Sequence, residues 1–419
     1  MTATGETTNP KLDLRRLPRN LWAVSLTSMF TDISSEMIFH LLPLYLSNVL
    51  GARTSVIGLI EGVSETTSSL SRILSGSVSD RMRKRKPLTV LGYSFSAVAK
   101  PLFLLAATWP MVLVLRFADR LGKGIRTAPR DALVADSIAP EQRGMAFGLH
   151  RAADTLGALL GLAVAAFVVY RTGAAATRLG IGTFHWVVAL SIIPAVLGVL
   201  SLILLARDPA QSPRPTGGMD AEQPGRRLRF SPRFWGFIAT VGLFTLGNSS
   251  DAFLVLRAQE RGLTVLQVML MLVTFNLVYT LASVPAGMRS DKIGRSRVIL
   301  GGWLVYALVY AGFGFARQGW QVWVLMSVYG LYYAMFEGTS KALVADLVPV
   351  EARGTAYGVY NAAIGVMALP ASLIAGLLWQ GLGSWAGFGA AAPFGFGAAL
   401  ALAAVLLMGF VVPRLKSTT

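Results

Sequence analysis

Twelve apolar runs, separated by charged or Gly/Pro-containing punctuation, constrain this chain more than any motif it carries. They fall near 19–49, 54–79, 88–107, 109–136, 142–170, 183–206, 232–257, 265–288, 297–316, 321–347, 352–381 and 389–412. About 20 mostly apolar residues suffice for one helix to cross a hydrocarbon core of about 30 Å. Each run meets that length, so the pattern predicts an all-α, polytopic membrane protein of twelve spans. Composition agrees: 14% of the 419 residues are charged, against about 25% in a soluble protein. The first run follows Lys11, Arg15, Arg16 and Arg19 and is too long for a signal-peptide core, so it reads as an uncleaved first span.

The formal charge of +17 is explained by where the basic residues sit. An even number of spans puts both termini on one side, and the loops of that side hold the basic clusters. These are Arg81, Arg83, Lys84, Arg85 and Lys86, then Arg226, Arg227 and Arg229, then Lys292, Arg295 and Arg297. Cytoplasmic loops of multi-pass proteins carry such an excess. The expectation is a multi-pass protein of the cell inner membrane with both termini in the cytoplasm, and no nucleic acid is needed as a partner. With no cysteine, disulfides, thiolate metal sites and thiol catalysis are excluded. The expected order is a cytoplasmic segment at 1–18, a six-helix bundle at 19–206 and a Pro/Gly-rich linker at 207–231, then a second six-helix bundle at 232–412 and a tail at 413–419.

The two bundles are related by an internal repeat. Ala132-Leu133-Val134-Ala135-Asp136 recurs 210 positions later as Ala342-Leu343-Val344-Ala345-Asp346, and Arg143 then aligns with Arg353. Gly76, Asp80 and Arg81 match Gly287, Asp291 and Lys292, and Ser34-Ser35-Glu36 echoes Ser249-Ser250-Asp251. Parallel repeats of six helices are one way transporters are built. GSVSDRMRKRK (76–86) and GMRSDKIGRSR (287–297) resemble the two copies of motif A of the major facilitator superfamily (MFS), and RFADRLG (116–122) resembles its fourth-helix motif.

That resemblance covers nearly the whole chain. It implies twelve transmembrane helices in two pseudo-symmetric six-helix bundles, working by alternating access as a monomeric secondary transporter. It implies no enzyme activity and no cofactor. It also assigns a cytoplasmic gate to Gly76, Asp80, Arg81 and Arg143 and to Gly287, Asp291, Lys292 and Arg353, the aspartates pairing with the facing helix. Met82-Arg83 and Asp119-Arg120 depart from the usual motifs, and the fifth span has Gly157 and Gly161 without the Gly-Pro pair typical of drug/proton antiporters.

Charges inside spans are rare unless they face a cavity or a partner, and this chain has many. Asp32, Glu36 and His40 are spaced i, i+4, i+8 on one helix face, with Asp251 as the counterpart of Glu36 in the second half. A buried carboxylate there can carry a proton, whereas carboxylates plus imidazole suit a divalent metal such as iron or nickel; a salt bridge to the fourth span is the third reading. In the second span Glu65 is expected in the cavity, with Glu61 nearer the outer mouth and Arg72 paired either with Glu65 or with the fourth span. Arg116, Arg120, Lys123 and Arg130 share a broad face of the fourth span beside Asp119 and Asp131. Guanidinium forks suit carboxylate and phosphate, so this face reads either as an anion-binding wall or as one half of an internal charge balance. Asp154 and His150 lie one turn apart, as a proton relay or a solvated pair, and Glu337 and Lys341 are expected to neutralise each other.

Neither a Walker A nor an HExxH pattern occurs, which argues against an ATP-driven pump and a membrane protease. The expected function is proton-coupled efflux of a small solute by an antiporter. An organic or phosphorylated anion is the first candidate and a divalent metal held by Asp32, Glu36 and His40 the second. A transporter-like sensor or assembly partner that moves nothing is the third.

Overall fold

The computed structural model describes residues 18–82, 85–138, 143–173, 175–208, 230–349 and 352–411, with the side chains at 77, 80–82, 143–145 and 411 left aside. The first half holds helices α1 (Arg19–Phe39), α2 (Leu42–Asn48), α3 (Thr54–Met82), α4 (Lys86–Leu102), α5 (Trp109–Asp136), α6 (Arg143–Gly173) and α7 (Ile181–Leu205). The second holds α8 (Pro232–Gly247), α9 (Ala252–Glu260), α10 (Val265–Ile293), α11 (Arg295–Phe315), α12 (Gly319–Leu347), α13 (Arg353–Gln380) and α14 (Ala392–Val411). Helices α1 and α2 form one crossing and α8 and α9 another, giving twelve.

Two runs expected as continuous are thus broken. Pro43 sits in the first turn of α2; it has no N–H to offer the carbonyl of Phe39, so the helix stops at His40-Leu41. In the second half the chain leaves helical geometry between Asn248 and Asp251, where the Ser250 hydroxyl accepts from the Ala252 N–H (3.3 Å).

The packing repeats as the sequence does. Helix α1 packs on α6 and α7 as α8 does on α13 and α14, and α5 packs on α3 and α4 as α12 does on α10 and α11. The repeat extends to ion pairs. Arg85 Nε lies 3.3 Å from Asp136 Oδ2, and 210 positions on Arg295 Nε lies 3.0 Å from Asp346 Oδ2.

The bundles meet mainly through α3 against α13 and α6 against α10. The α3–α13 contact is so close that it requires glycine. A β-carbon on Gly58 would overlap the carbonyl oxygen of Ser372, and one on Gly62 would lie 2.8 Å from the Cα of Leu369. On the side away from the linker, further bonds join the halves. The Thr54 N–H donates to Gln380 (2.9 Å), Gln259 donates to the Thr177 carbonyl (2.6 Å) and the Val265 N–H to the Ala176 carbonyl (3.0 Å). Toward the linker side Gly148, Gly287, Gly354 and Gly358 each face open space. On the linker side Arg151 of α6 reaches Tyr279 and Glu337 of the second bundle, so described contacts join the bundles on both sides of the cavity.

Eight crossings are long and apolar enough to be recognised from composition alone. The other four are α1 with α2, α3, α5 and α12. Three of these line the central cavity with charge.

Candidate substrate site

A cavity of about 400 Å³ lies between the bundles. Helix α5 supplies its cationic wall because Arg116, Asp119, Arg120, Lys123 and Arg126 recur at three- and four-residue spacing along one face. Helix α1 brings Asp32, Glu36 and His40, α3 brings Glu61 and Glu65, and the α8–α9 break brings Asn248 to Asp251.

Three pairs tie the first-bundle wall together. Arg116 Nη2 lies 3.1 Å from Glu61 Oε2, with both side chains buried (3% and 7% exposed). Its guanidinium stands 4.0 Å over the Phe39 ring, a face that attracts cations. Arg120 lies 3.6 Å from Glu65, and His40 Nε2 lies 2.7 Å from Glu36 Oε2. Arg126 is buried differently: its Nη1 donates to Ser96 Oγ (2.7 Å) and its guanidinium covers the Tyr93 ring at 4.4 Å.

What is left unpaired decides what the cavity can bind. Among the described residues, neither Lys123 nor Asp32 has an ion-pair or hydrogen-bonding partner for its side chain. Arg116 keeps Nε and Nη1, and Arg120 keeps Nε, without a hydrogen-bond acceptor. Across the cavity, Asp251 accepts from the Tyr329 hydroxyl (3.1 Å) and the Tyr333 hydroxyl (3.2 Å) and has no cation partner. A weak contact links the two walls, Ser250 Oγ to Glu61 Oε2 at 3.5 Å.

Several expectations are corrected. Arg130, Asp131 and Asp154 do not line the cavity. Arg130 is on the same face as Lys123 but seven residues further along α5, about 10 Å at 1.5 Å per residue, and there it pairs with Asp131 at 2.8 Å. Glu61 belongs to the cavity, not to an outer mouth. Arg72 is not the partner of Glu65, and its Nε has no acceptor. The metal arrangement is not formed: among the described residues no three His, Asp or Glu side chains gather to hold an ion, and His40 is taken by Glu36. His150 is buried (4% exposed) rather than solvated, with Nε2 3.7 Å from Asp154 Oδ2.

Arg151 does not face α5 but crosses to the second bundle. Its Nη2 donates to the Tyr279 hydroxyl (3.1 Å) and lies 3.5 Å from Glu337, which also pairs with Lys341 (3.5 Å) and accepts from Tyr279. Of the gate residues, Asp291 is exposed and reaches Arg295 at 4.0 Å within its own loop, and Arg353 Nε donates to the Ala345 carbonyl (3.3 Å). The side chains of Asp80, Arg81 and Arg143 lie outside the described residues.

Two buried cations escaped the sequence reading; Arg257 of α9 donates to the Phe313, Gly314 and Ala316 carbonyls, and the other lies behind the cavity. Lys100 of α4 is fully buried and donates to Ser35 Oγ (3.1 Å) and the Thr31 carbonyl (3.5 Å) on the back of α1. Its only signal was a lysine inside an apolar run, just before Pro101.

Comparison with known proteins agrees with this architecture. The chain is 37% identical over 373 residues to an uncharacterised MFS-type transporter of Methanocaldococcus jannaschii, covering 87% of this chain and 90% of that one. Crystal structures of the nucleoside transporter NupG (TM-score 0.72, 12% identity, 94% and 99% of the two chains) and of a D-xylose-proton symporter (TM-score 0.71, 17% identity, 96% and 99%) share the fold. The model described as Major Facilitator Superfamily matches residues 24–257 and 251–418, and the chain is a member of that superfamily, a multi-pass membrane transporter.

Proposed function

We propose that this transporter is a proton-coupled antiporter that exports a small solute bearing a carboxylate or phosphate. The observation that carries the anion is Lys123, a cation on the cavity wall with no carboxylate within ion-pairing distance among the described residues, one turn along α5 from Arg120. Charge-assisted bonds to an ionised oxygen are the strong ones, and an incoming anion supplies the acceptors that this wall lacks.

Among the described residues three carboxylates line the cavity without an ion pair, Asp32, Asp119 and Asp251, and coupling falls to Asp32 and Asp251, one on each bundle. A solute donor that occupies Asp251 excludes a proton from it, so solute and proton cross in opposite turns of the cycle. The basic loops make the linker side the cytoplasm in this proposal, the side from which an exporter loads.

The test is flux into proteoliposomes under an imposed pH gradient, with a panel of small carboxylates and phosphomonoesters and a pH dye to follow protons. Accumulation with counter-moving protons is expected. Lys123→Gln is expected to lower flux at least about tenfold, the loss of about 1.4 kcal/mol of binding, while Lys123→Arg retains it. Undiminished flux in Lys123→Gln sinks the anion assignment, and flux indifferent to the pH gradient sinks the coupling.

A further inference from the structure

We infer that the solute is a zwitterion, its anionic group held at Lys123 on the first bundle and an ammonium group held by Asp251 on the second. The inference rests on the anion site proposed above and adds the second charge. Asp251 is a carboxylate with about four acceptor positions, two of which the Tyr329 and Tyr333 hydroxyls fill. Its negative charge is matched by no Lys, Arg or His within ion-pairing distance among the described residues. The first-bundle carboxylates Glu36, Glu61 and Glu65 each have a cation, and Asp32 and Asp119 share their bundle with the α5 cations, whereas Asp251 is the carboxylate that the second bundle brings to the cavity.

The surroundings of Asp251 are those of an ammonium site. Tyr333 lines the cavity beside it, and Tyr329 and Phe275 pack edge-on against Tyr333 at 5.2 and 5.3 Å between ring centroids. The carboxylate offers an ammonium an ion pair, and the packed rings hold the two hydroxyls that orient it. A neutral or purely anionic solute would leave the Asp251 charge unanswered.

The placement of the two charges gives the second bundle its own grip on the solute. Lys123 and Asp251 sit on opposite bundles, which meet at the cavity through Thr66, donating to the Gly365 carbonyl (2.6 Å), and through Ser250, 3.5 Å from Glu61. A solute bearing both charges binds the two bundles at once, whereas a simple anion holds one. An ammonium also competes directly with a proton for Asp251, which gives solute and proton opposite directions.

The probes are 4-aminobutyrate and 6-aminohexanoate, each compared with its N-acetyl form, which keeps the carboxylate and loses the ammonium. Binding is read on the detergent-solubilised, full-length protein as a ligand-dependent rise of the unfolding midpoint. Wild-type protein is expected to bind at least one free amino acid ten times or more tightly than its N-acetyl form. Asp251→Asn is expected to bring the two within a factor of two, and Lys123→Gln to weaken both.

If the N-acetyl forms bind the wild type as well as the free amino acids do, the zwitterion is overturned while the anion site stands. Should neither form bind, and no simple carboxylate or phosphomonoester either, the anion site fails and takes this inference with it. A variant Asp251→Asn that keeps the preference for the free amino group while losing only pH-gradient-driven flux makes Asp251 a proton carrier alone, and again overturns the inference. Where Asp251→Asn does not fold, the wild-type comparison decides.

Discussion

Arg116→Met loses about 3–5 kcal/mol of stability, the usual cost of stranding one member of a buried ion pair. Glu61, nearly enclosed by α3 and α5, is then a buried carboxylate whose remaining contact is the 3.5 Å approach of Ser250. Glu61→Leu strands the guanidinium in turn, although Phe39 below it continues to cover one face. The double variant Arg116→Met, Glu61→Leu removes both charges and recovers most of the loss, because replacing a whole buried pair with apolar groups is often neutral. Thermal unfolding in detergent of the two single variants and the double measures this coupling. Single variants as stable as the wild type, or a double as unstable as the sum of the singles, would show that the pair is solvated in the working protein.

Gly58→Val is the second large effect, and it acts on the conformational equilibrium rather than on folding. The added carbons meet the Ser372 carbonyl, a backbone atom that cannot swing aside, and Phe253 lies close behind. Overpacking of this kind costs about 1–3 kcal/mol, here charged to the state in which the far side is closed. That energy corresponds to a factor of about 5–150 in the population of the state. The cysteine-free chain makes the measurement direct: cysteines placed at Thr177 and Gln259, which bond across the bundles at 2.6 Å, cross-link when the far side is shut. Gly58→Val is expected to cut the cross-linking yield and the flux together. The same change at Gly409, where nothing lies within 4 Å, is expected to alter neither. Unchanged cross-linking in Gly58→Val would mean that α3 and α13 do not close on each other there.

The crossings were legible in the sequence because lipid imposes a length on apolar runs, and the repeat fixed which helices correspond. It also marked Asp136 and Asp346, whose arginine partners turned out to be spaced by the same 210 residues. The cavity was legible only as an angle. Helical spacing correctly put Arg116, Arg120 and Lys123 together, yet it put Arg130 with them as well, since the angle around a helix says nothing about depth along it. Partners across helices were hidden for a related reason. Spacing offered Arg72 on the same helix as one partner for Glu65, whereas Arg120 on neighbouring α5 is the residue that reaches it. Breaks in α1–α2 and α8–α9 depend on how a proline or a serine run is accommodated at mid-membrane, and the apolar signal runs straight through both.

The charge on α5 also has a consequence for how the chain enters the membrane during synthesis. Each Arg, Lys or Asp at the centre of a lone helix costs about 2.5–3.5 kcal/mol to partition from the translocon into lipid. A helix bearing Arg116, Asp119, Arg120, Lys123 and Arg126 cannot meet that cost alone. Helix α3 is made earlier and carries Glu61 and Glu65, the carboxylates that α5 goes on to pair with. Leaving beside α3, α5 would carry two of its charges already paired, Arg116 with Glu61 and Arg120 with Glu65. The ion pairs that shape the cavity in the finished protein are thus also the ticket by which its most polar helix is admitted to the bilayer.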